Sequence, residues 1–179
     1  KELKIKWNTR QKGNYCSFPK PNRVKFSAGP SMVVATLPIE KKSYKKFAWE
    51  VECHSVSNNS WIGFINWPLK NGFNYNTYVG SQWQQHGIGF AKNSTSFSVY
   101  QKNCSYHYSQ NASASIGSSI QNGVKIKFAV DFTKSVVDVY CNGKLVYYAQ
   151  FTQIKDAIVP AVSANYSPGE YTIKVVNTK

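Results

Sequence analysis

Residues 124–151 constrain the fold most strongly, because three consecutive segments in this stretch alternate between apolar and polar residues. The first segment has apolar residues at every second position: Val124, Ile126, Phe128, Val130 and Phe132. A β-strand turns successive side chains to opposite faces, so the pattern indicates one buried and one solvent-facing side. Asn142 and Gly143 separate the second and third segments, and both residue types tolerate the positive φ of a two-residue type I′ hairpin. The stretch therefore predicts an antiparallel meander of three strands.

The rest of the chain shows the same kind of pattern, with short apolar segments separated by turn residues. Strands are predicted at residues 24–26, 32–37, 44–56, 61–67, 87–92, 97–101, 158–164 and 171–176, with a peripheral strand around Leu3, Ile5 and Trp7. Pro160 cannot donate a ladder hydrogen bond, so it predicts that its strand lies at an edge or carries a bulge. No segment sustains a helical period of 3.6 residues. About a dozen short strands favour an all-β sandwich of antiparallel sheets.

Length and composition predict a single, monomeric domain. The 179 residues are enough for one substantial core. We expect the core to span residues 24–176, with residues 1–23 as an N-terminal extension. No stretch approaches the roughly 18 consecutive apolar residues that a membrane-spanning helix needs, so no membrane span is expected.

The net charge of +14 raises the question of a nucleic-acid partner. Almost all of the positive charge comes from lysine, and only Arg10 and Arg23 are arginines. Proteins that contact phosphates usually use the bidentate arginine fork, so solvated surface lysines are the favoured interpretation. Nucleic-acid binding stays an alternative that is not favoured.

The cysteines and histidines do not have the spacing of a metal site. Cys53 and Cys141 share the parity of apolar strand residues and are predicted to be buried. Cys16 and Cys104 could pair only in an oxidising compartment. Five glycosylation sequons, beginning at Asn58, Asn93, Asn103, Asn111 and Asn165, support secretion only weakly in a chain this rich in Asn and Ser.

No constellation of reactive residues points to catalysis. Glu50 and Glu52 lie on one face of a predicted strand about 7 Å apart, whereas retaining glycosidases place their carboxylates roughly 5–5.5 Å apart. Asp131 is interpreted as a structural hydrogen-bond acceptor. The sequence lacks the Gly-x-Ser-x-Gly motif of serine hydrolases. We therefore expect a non-enzymatic protein without a metal or other cofactor.

The order of several short motifs resembles the SPRY domain family. The motifs are Trp49-Glu50-Val51, Trp61-Ile62-Gly63-Phe64, Val79-Gly80-Ser81-Gln82-Trp83, and residues 128–132, 139–143 and 158–163. They appear in the family's order and cover roughly residues 24–176. The resemblance implies a bent, concanavalin-like sandwich of two antiparallel sheets that recognises protein partners through loops at one end.

Within that family, the sequence is most similar to the SPRY domains of SOCS-box proteins and their relatives. The resemblance rests on the loop at residues 75–80 and on residues 163–167. It implies a shallow peptide pocket with Tyr75, Tyr78 and Tyr166 as its aromatic floor and Asn165 as a polar contact. Pro30 stands in the segment where the family has a basic, proline-containing sequence, here without arginine.

These observations predict a recognition module that binds a short peptide segment of a partner protein. A lectin-like carbohydrate-binding sandwich is the alternative, since exposed aromatic side chains can stack on sugar rings. The resemblance slightly favours an intracellular protein, whereas the sequons are compatible with secretion.

Overall fold

A computed structural model describes residues 3–56, 60–69, 71–77, 79, 85–90, 97–101, 106–108, 122–150, 156–164 and 169–178. Every regular element within these ranges is a β-strand, as the all-β prediction requires. The described strands are β1 Trp7–Lys12, β2 Cys16–Lys20, β3 Arg23–Phe26, β4 Ser31–Ala35, β5 Ile39–Glu40, β6 Lys46–Ser55, β7 Ser60–Trp67, β8 Gln85–Phe90, β9 Phe97–Gln101, β10 Tyr106–Tyr108, β11 Val124–Asp131, β12 Val136–Cys141, β13 Lys144–Gln150, β14 Ala157–Ala164 and β15 Gly169–Thr178.

The described strands form two antiparallel sheets. Sheet A has the order β1-β4-β14-β7-β8-β9, with β5 also paired to β14. Sheet B has the order β10-β13-β12-β11-β6-β15-β3-β2. The predicted fold class, an antiparallel β-sandwich, is confirmed.

The meander predicted from residues 124–151 is present in sheet B as β11, β12 and β13. All five of the alternating apolar residues that begin with Val124 are buried. Asn142 and Gly143 form the turn between β12 and β13 with φ of 49° and 84°. Asp131 closes the preceding turn, because its Oδ1 accepts hydrogen bonds from the Thr133 amide and hydroxyl and from the Lys134 amide. This confirms its interpretation as a structural acceptor.

The core lies between the sheets and is centred on aromatic rings. Trp49 on β6 is fully buried and stacks on Phe128 with ring centroids 5.1 Å apart. Phe64 on β7 of sheet A meets both rings edge-on. Tyr171 on β15 is also fully buried, and its hydroxyl donates a 2.6 Å hydrogen bond to Ser60 Oγ on β7. These contacts join the two sheets through apolar packing and one buried polar link.

The prediction that Pro160 marks an edge or a bulge is wrong. Strand β14 lies inside sheet A and pairs with β7 along its whole length, with Pro160 opposite Phe64. Its other neighbour changes at this point: Ala157 and Ile158 pair with β5, whereas Ala161 onward pairs with β4. Pro160 lies at this change of partner, and neither β5 nor β4 is paired with it. The gap in the ladder on this side can accommodate a residue without an N–H.

The N-terminal residues, predicted as an extension, supply a strand to each sheet. Strand β1 pairs with β4 in sheet A, and β2 pairs with β3 in sheet B. Trp7 is only 1% exposed, and its indole Nε1 donates to the Tyr171 carbonyl at 3.3 Å. Local alternation predicts a peripheral strand here, and β1 is indeed an edge strand of sheet A, with the Trp7 side chain buried in the core.

Candidate functional site

Three loops meet at one end of the sandwich, beside the start of β4 and the end of β14. They are residues 13–15 between β1 and β2, residues 27–30 between β3 and β4, and residues 73–76 after β7. The Met32 amide donates to the Tyr75 carbonyl at 2.8 Å, and the Gly13 amide donates to the Met32 carbonyl at 2.7 Å. The Ser27 amide donates to the Tyr15 carbonyl at 3.0 Å. We call this region, made of loops 13–15, 27–30 and 73–76, the tyrosine end.

Two buried serines of sheet A fix the loops of the tyrosine end. Ser31 is fully buried and its Oγ accepts a hydrogen bond from the Tyr15 amide at 3.3 Å. Ser163, also fully buried, accepts from the Val79 amide at 3.0 Å. A buried hydroxyl needs a partner, so each serine stabilises one loop position. The segment that carries Tyr75 is therefore held twice, by the Met32 amide at the Tyr75 carbonyl and by the Ser163 hydroxyl at the Val79 amide.

An asparagine joins two of the loops directly. Asn76 Oδ1 accepts a 2.9 Å hydrogen bond from the Asn14 amide, 62 residues away in sequence. The Asn76 amide in turn donates to Asn74 Oδ1 at 2.9 Å. Loops 13–15 and 73–76 are therefore connected by a side chain as well as through Met32.

Gly13 is required by the close approach of these loops. A Cβ atom at this position would lie 2.1 Å from Ser31 Oγ and 2.7 Å from the Tyr75 carbonyl oxygen. Real Cβ atoms do not come this close to other heavy atoms, so the absence of a side chain allows the loops to touch.

Two tyrosines and a proline are available for contact at the tyrosine end. Tyr15 is 47% exposed. Tyr75 is half-buried, and its ring meets the Phe73 ring edge-on with centroids 4.9 Å apart. Burial raises the pKa of the Tyr75 hydroxyl. A tyrosine hydroxyl is protonated at neutral pH even without this shift, so it can donate a hydrogen bond. Pro30 is half-buried at the end of loop 27–30.

Of the residues predicted to bind a partner, the structure describes Pro30 and Tyr75. Both belong to the tyrosine end, since Pro30 directly precedes Ser31 and Tyr75 is hydrogen-bonded to Met32. Tyr78, Asn165 and Tyr166 lie outside the described residues. Asn165 follows Ala164, which is paired with Ser31 across sheet A.

Sequence reasoning missed Tyr15, Gly13, Asn76 and Ser31 at this end. The aromatic character of Tyr15 within a polar segment was a usable signal, because an exposed aromatic in a loop is a common binding anchor. The other three residues carry no local signal, since their contacts join segments that are distant in sequence.

The Cys16 thiol lies beside the tyrosine end and is free. Its Sγ is 3.5 Å from the Gly13 carbonyl oxygen. Burial raises the pKa of this thiol, and this effect outweighs the lowering by the Lys12 charge and by a hydrogen bond with Ser31. Cys53 is fully buried as predicted, whereas Cys141 is only partly buried. Cys104 lies outside the described residues.

The outer face of sheet B pairs its lysines with acidic residues. Lys127 is opposite Glu50 and Lys125 is opposite Glu52 in the register of β11 and β6. On the other side of β6, Lys174 Nζ lies 3.3 Å from Glu50 Oε1. Cross-strand pairs of opposite charge stabilise a sheet and reduce its net potential. Much of the positive charge on this face is therefore locally balanced.

The described residues contain no group of three or more His, Cys, Asp or Glu side chains placed to hold a metal ion. Glu50 is occupied by its ion pair with Lys174, and His54 Nε2 is 2.7 Å from Thr172 Oγ1. In the described part of the chain, no helix is long and apolar enough to cross a bilayer.

Comparison with solved structures identifies the architecture. The SPRY domain of human HERC1 is similar with a TM-score of 0.59 and 11% identity, over 97% of this chain and 99% of that one. The TRIM65 PSpry domain gives a TM-score of 0.63 and 9% identity, over 98% and 93% of the two chains. A human SPRY domain gives 0.61 and 14%, over 89% and 94%.

No protein-family profile and no curated protein sequence matches this chain. The structural likeness is nevertheless extensive, because it covers nearly the full length of each solved domain. The chain therefore has the fold of SPRY domains, a sandwich of two antiparallel β-sheets.

Proposed function

We propose that the protein is a non-enzymatic interaction module that binds a short peptide segment of a partner protein at the tyrosine end. The observation that carries this proposal is the convergence of three separate loops around Pro30, Tyr75 and Tyr15. Similarity to domains such as TRIM65 PSpry supports a recognition role by analogy of fold, although fold alone does not determine function.

The chemistry of the tyrosine end suits peptide recognition. Tyrosine offers a large rigid ring and a hydroxyl, and it loses little conformational entropy when it becomes fixed in a complex. The rings are presented on loops whose backbone is fixed by hydrogen bonds that the Tyr15 and Val79 amides donate to the buried Ser31 and Ser163 hydroxyls. Binding therefore requires little ordering of these loops, and a preorganised surface loses less affinity to conformational entropy.

The proposed site extends beyond the described residues. By resemblance to the SPRY domains of SOCS-box proteins, Tyr78 and Tyr166 complete the aromatic floor and Asn165 supplies a polar contact. Their sequence neighbours support this assignment, because Val79 is hydrogen-bonded to Ser163 and Ala164 is paired with Ser31, which directly follows loop 27–30.

Nucleic acid is a weaker candidate for the partner. The lysines of β11 have glutamates opposite them, so this face does not present the continuous positive surface that tracks a phosphate backbone. Catalysis is also disfavoured, since Glu50, one of the two carboxylates considered for it, forms an ion pair with Lys174.

Selection from a random peptide library displayed on phage tests the proposal. Wild-type protein should enrich a peptide motif, and the Tyr15→Ala/Tyr75→Ala double variant should bind the selected peptide at least about tenfold more weakly. That ratio corresponds to about 1.4 kcal/mol, at the low end of the cost of removing an aromatic anchor.

A matched control separates lost contacts from lost structure. Tyr140 is partly exposed on sheet B, where Lys127 Nζ lies 4.3 Å from its ring centroid. The Tyr140→Ala variant should bind the selected peptide as the wild-type does. Equal binding by the double variant and the wild-type protein would refute the assignment of the tyrosine end.

A further inference from the structure

A second concave site lies at the other end of β14. It is a cavity of about 590 Å³ lined by Trp67, Pro68, Asp156 and Ala157 and by residues 40–42. Because β14 rises roughly 3.3 Å per residue, its two ends are about 23 Å apart. We call this site the tryptophan pocket, and it is separate from the tyrosine end.

The register of sheet A explains why a pocket forms there. Ala157 is opposite Glu40 on one side and opposite Trp67 on the other. Directly paired residues of neighbouring strands project to the same face, so these three side chains form one row. The small methyl group of Ala157 lies between two large side chains and leaves a notch between them.

The walls of the notch are held by the backbone. The Lys41 amide donates a 2.8 Å hydrogen bond to the Asp156 carbonyl, which ties the residue after β5 to the residue before β14. The Ser43 amide donates to the Glu40 carbonyl at 3.0 Å and closes the turn that carries both lysines. The pocket is therefore preformed, as small-molecule sites usually are.

The polar groups of the pocket are balanced in charge and in hydrogen-bonding type. Glu40 and Asp156 supply acceptors, whereas Lys41 and Lys42 supply donors. Lys42 Nζ lies 3.3 Å from Glu40 Oε2, and both side chains are well exposed, so this weak surface pair can open for a ligand. A cationic ligand would meet the lysines and an anionic ligand the carboxylates. The balance favours a neutral ligand whose groups both donate and accept.

We propose that the tryptophan pocket binds a neutral sugar unit of a glycan. A pyranose ring has an apolar face of C–H groups that packs on the electron-rich face of an indole, here Trp67. Its hydroxyl groups both donate and accept hydrogen bonds, which matches the carboxylates and ammonium groups of the rim. The cavity volume falls within the roughly 300–1,000 Å³ range of small-ligand sites.

Titration of the isotope-labelled protein with neutral saccharides tests this proposal. The probes are glucose, galactose, mannose, N-acetylglucosamine and their disaccharides, and the readout is the indole N–H signals of the five tryptophans. One saccharide should shift the Trp67 signal in a saturable way. Its binding should be lost in Trp67→Ala and weakened severalfold in Asp156→Asn, whose backbone hydrogen bond to Lys41 is retained.

Charged probes and the remote site provide the controls. Arginine amide and inorganic phosphate should leave the Trp67 signal unchanged, and the amide signals of Tyr15 and Tyr75 should be the same in all variants. A Trp67 signal that responds to no saccharide, or that responds to either charged probe instead, would overturn the proposal. Neither result would bear on peptide binding at the tyrosine end.

Discussion

Replacing Gly13 by alanine tests whether the tyrosine end is built on close contact between its loops. The new Cβ atom would lie 2.1 Å from Ser31 Oγ and 2.7 Å from the Tyr75 carbonyl oxygen. Both distances are too short to persist, so at least one loop must move. Movement of Tyr75 lengthens the hydrogen bond that the Met32 amide donates to its carbonyl oxygen.

The expected cost follows from these contacts. Overpacking costs roughly 1–3 kcal/mol, and loss of one backbone hydrogen bond costs about 1 kcal/mol more. The φ of Gly13 lies outside the left-handed region, so alanine adds no backbone strain there. Alanine also lowers the conformational entropy of the unfolded chain, which stabilises the folded state by about 0.4–1 kcal/mol. The free energy of unfolding should therefore fall by about 1–3.6 kcal/mol.

Urea unfolding followed by tryptophan fluorescence measures this loss, and amide chemical shifts locate it. Gly143→Ala is the matched control, since Gly143 has a φ of 84° and open space where a Cβ would be. It should lose about 1–2 kcal/mol from backbone strain while the signals of Met32 and Tyr75 stay in place. If Gly13→Ala is as stable as the wild type and leaves those signals unmoved, the reasoning about loop contact is refuted.

Three further substitutions probe the sandwich itself. Trp49→Ala should lower the free energy of unfolding by roughly 3–5 kcal/mol, because it removes a fully buried ring that stacks on Phe128; a urea midpoint near that of the wild type would contradict this. Tyr171→Phe should cost about 0.5–1.5 kcal/mol by removing the buried hydrogen bond that its hydroxyl donates to Ser60 Oγ, and thermal melting would detect this loss of stability. Hydrogen bonds, chiefly from the Thr133 side chain, lower the pKa of Asp131 in the folded state. The ionised Asp131 carboxylate therefore stabilises the folded protein at neutral pH, and this stabilisation is lost as the pH falls through the folded-state pKa. Asp131→Asn should destabilise the protein at pH 7 but not in strong acid. Equal effects of Asp131→Asn at both pH values would contradict this.

The strands with strong alternation could be predicted from the sequence, because burial of one face leaves a local period of two. Strand β11 is an example, and the turn at Asn142 and Gly143 has the positive φ that its residue types indicate. The interpretation of Pro160 failed because its neighbour in the sheet changes from β5 to β4. No local pattern records such a change of partner.

The candidate site was predicted only in part, because contacts between distant segments leave no local pattern in the sequence. Pro30 and Tyr75 were identified by resemblance to a family, and both belong to the same end of the sandwich. The contacts that shape this end join residues far apart in sequence, such as Asn14 and Asn76. Isolated serines, asparagines and glycines are common in loops, so neither Ser31 nor Gly13 could be distinguished before the loops were brought together.

Mapping a bound peptide on the protein tests the central claim most directly. A peptide selected from the library is added to isotope-labelled protein, and the shifts of the backbone amides are recorded. Binding at the tyrosine end predicts that the largest shifts among the described residues fall at 13–15, 27–32 and 73–76. Largest shifts on the outer face of sheet B, or around Trp67, would contradict the account.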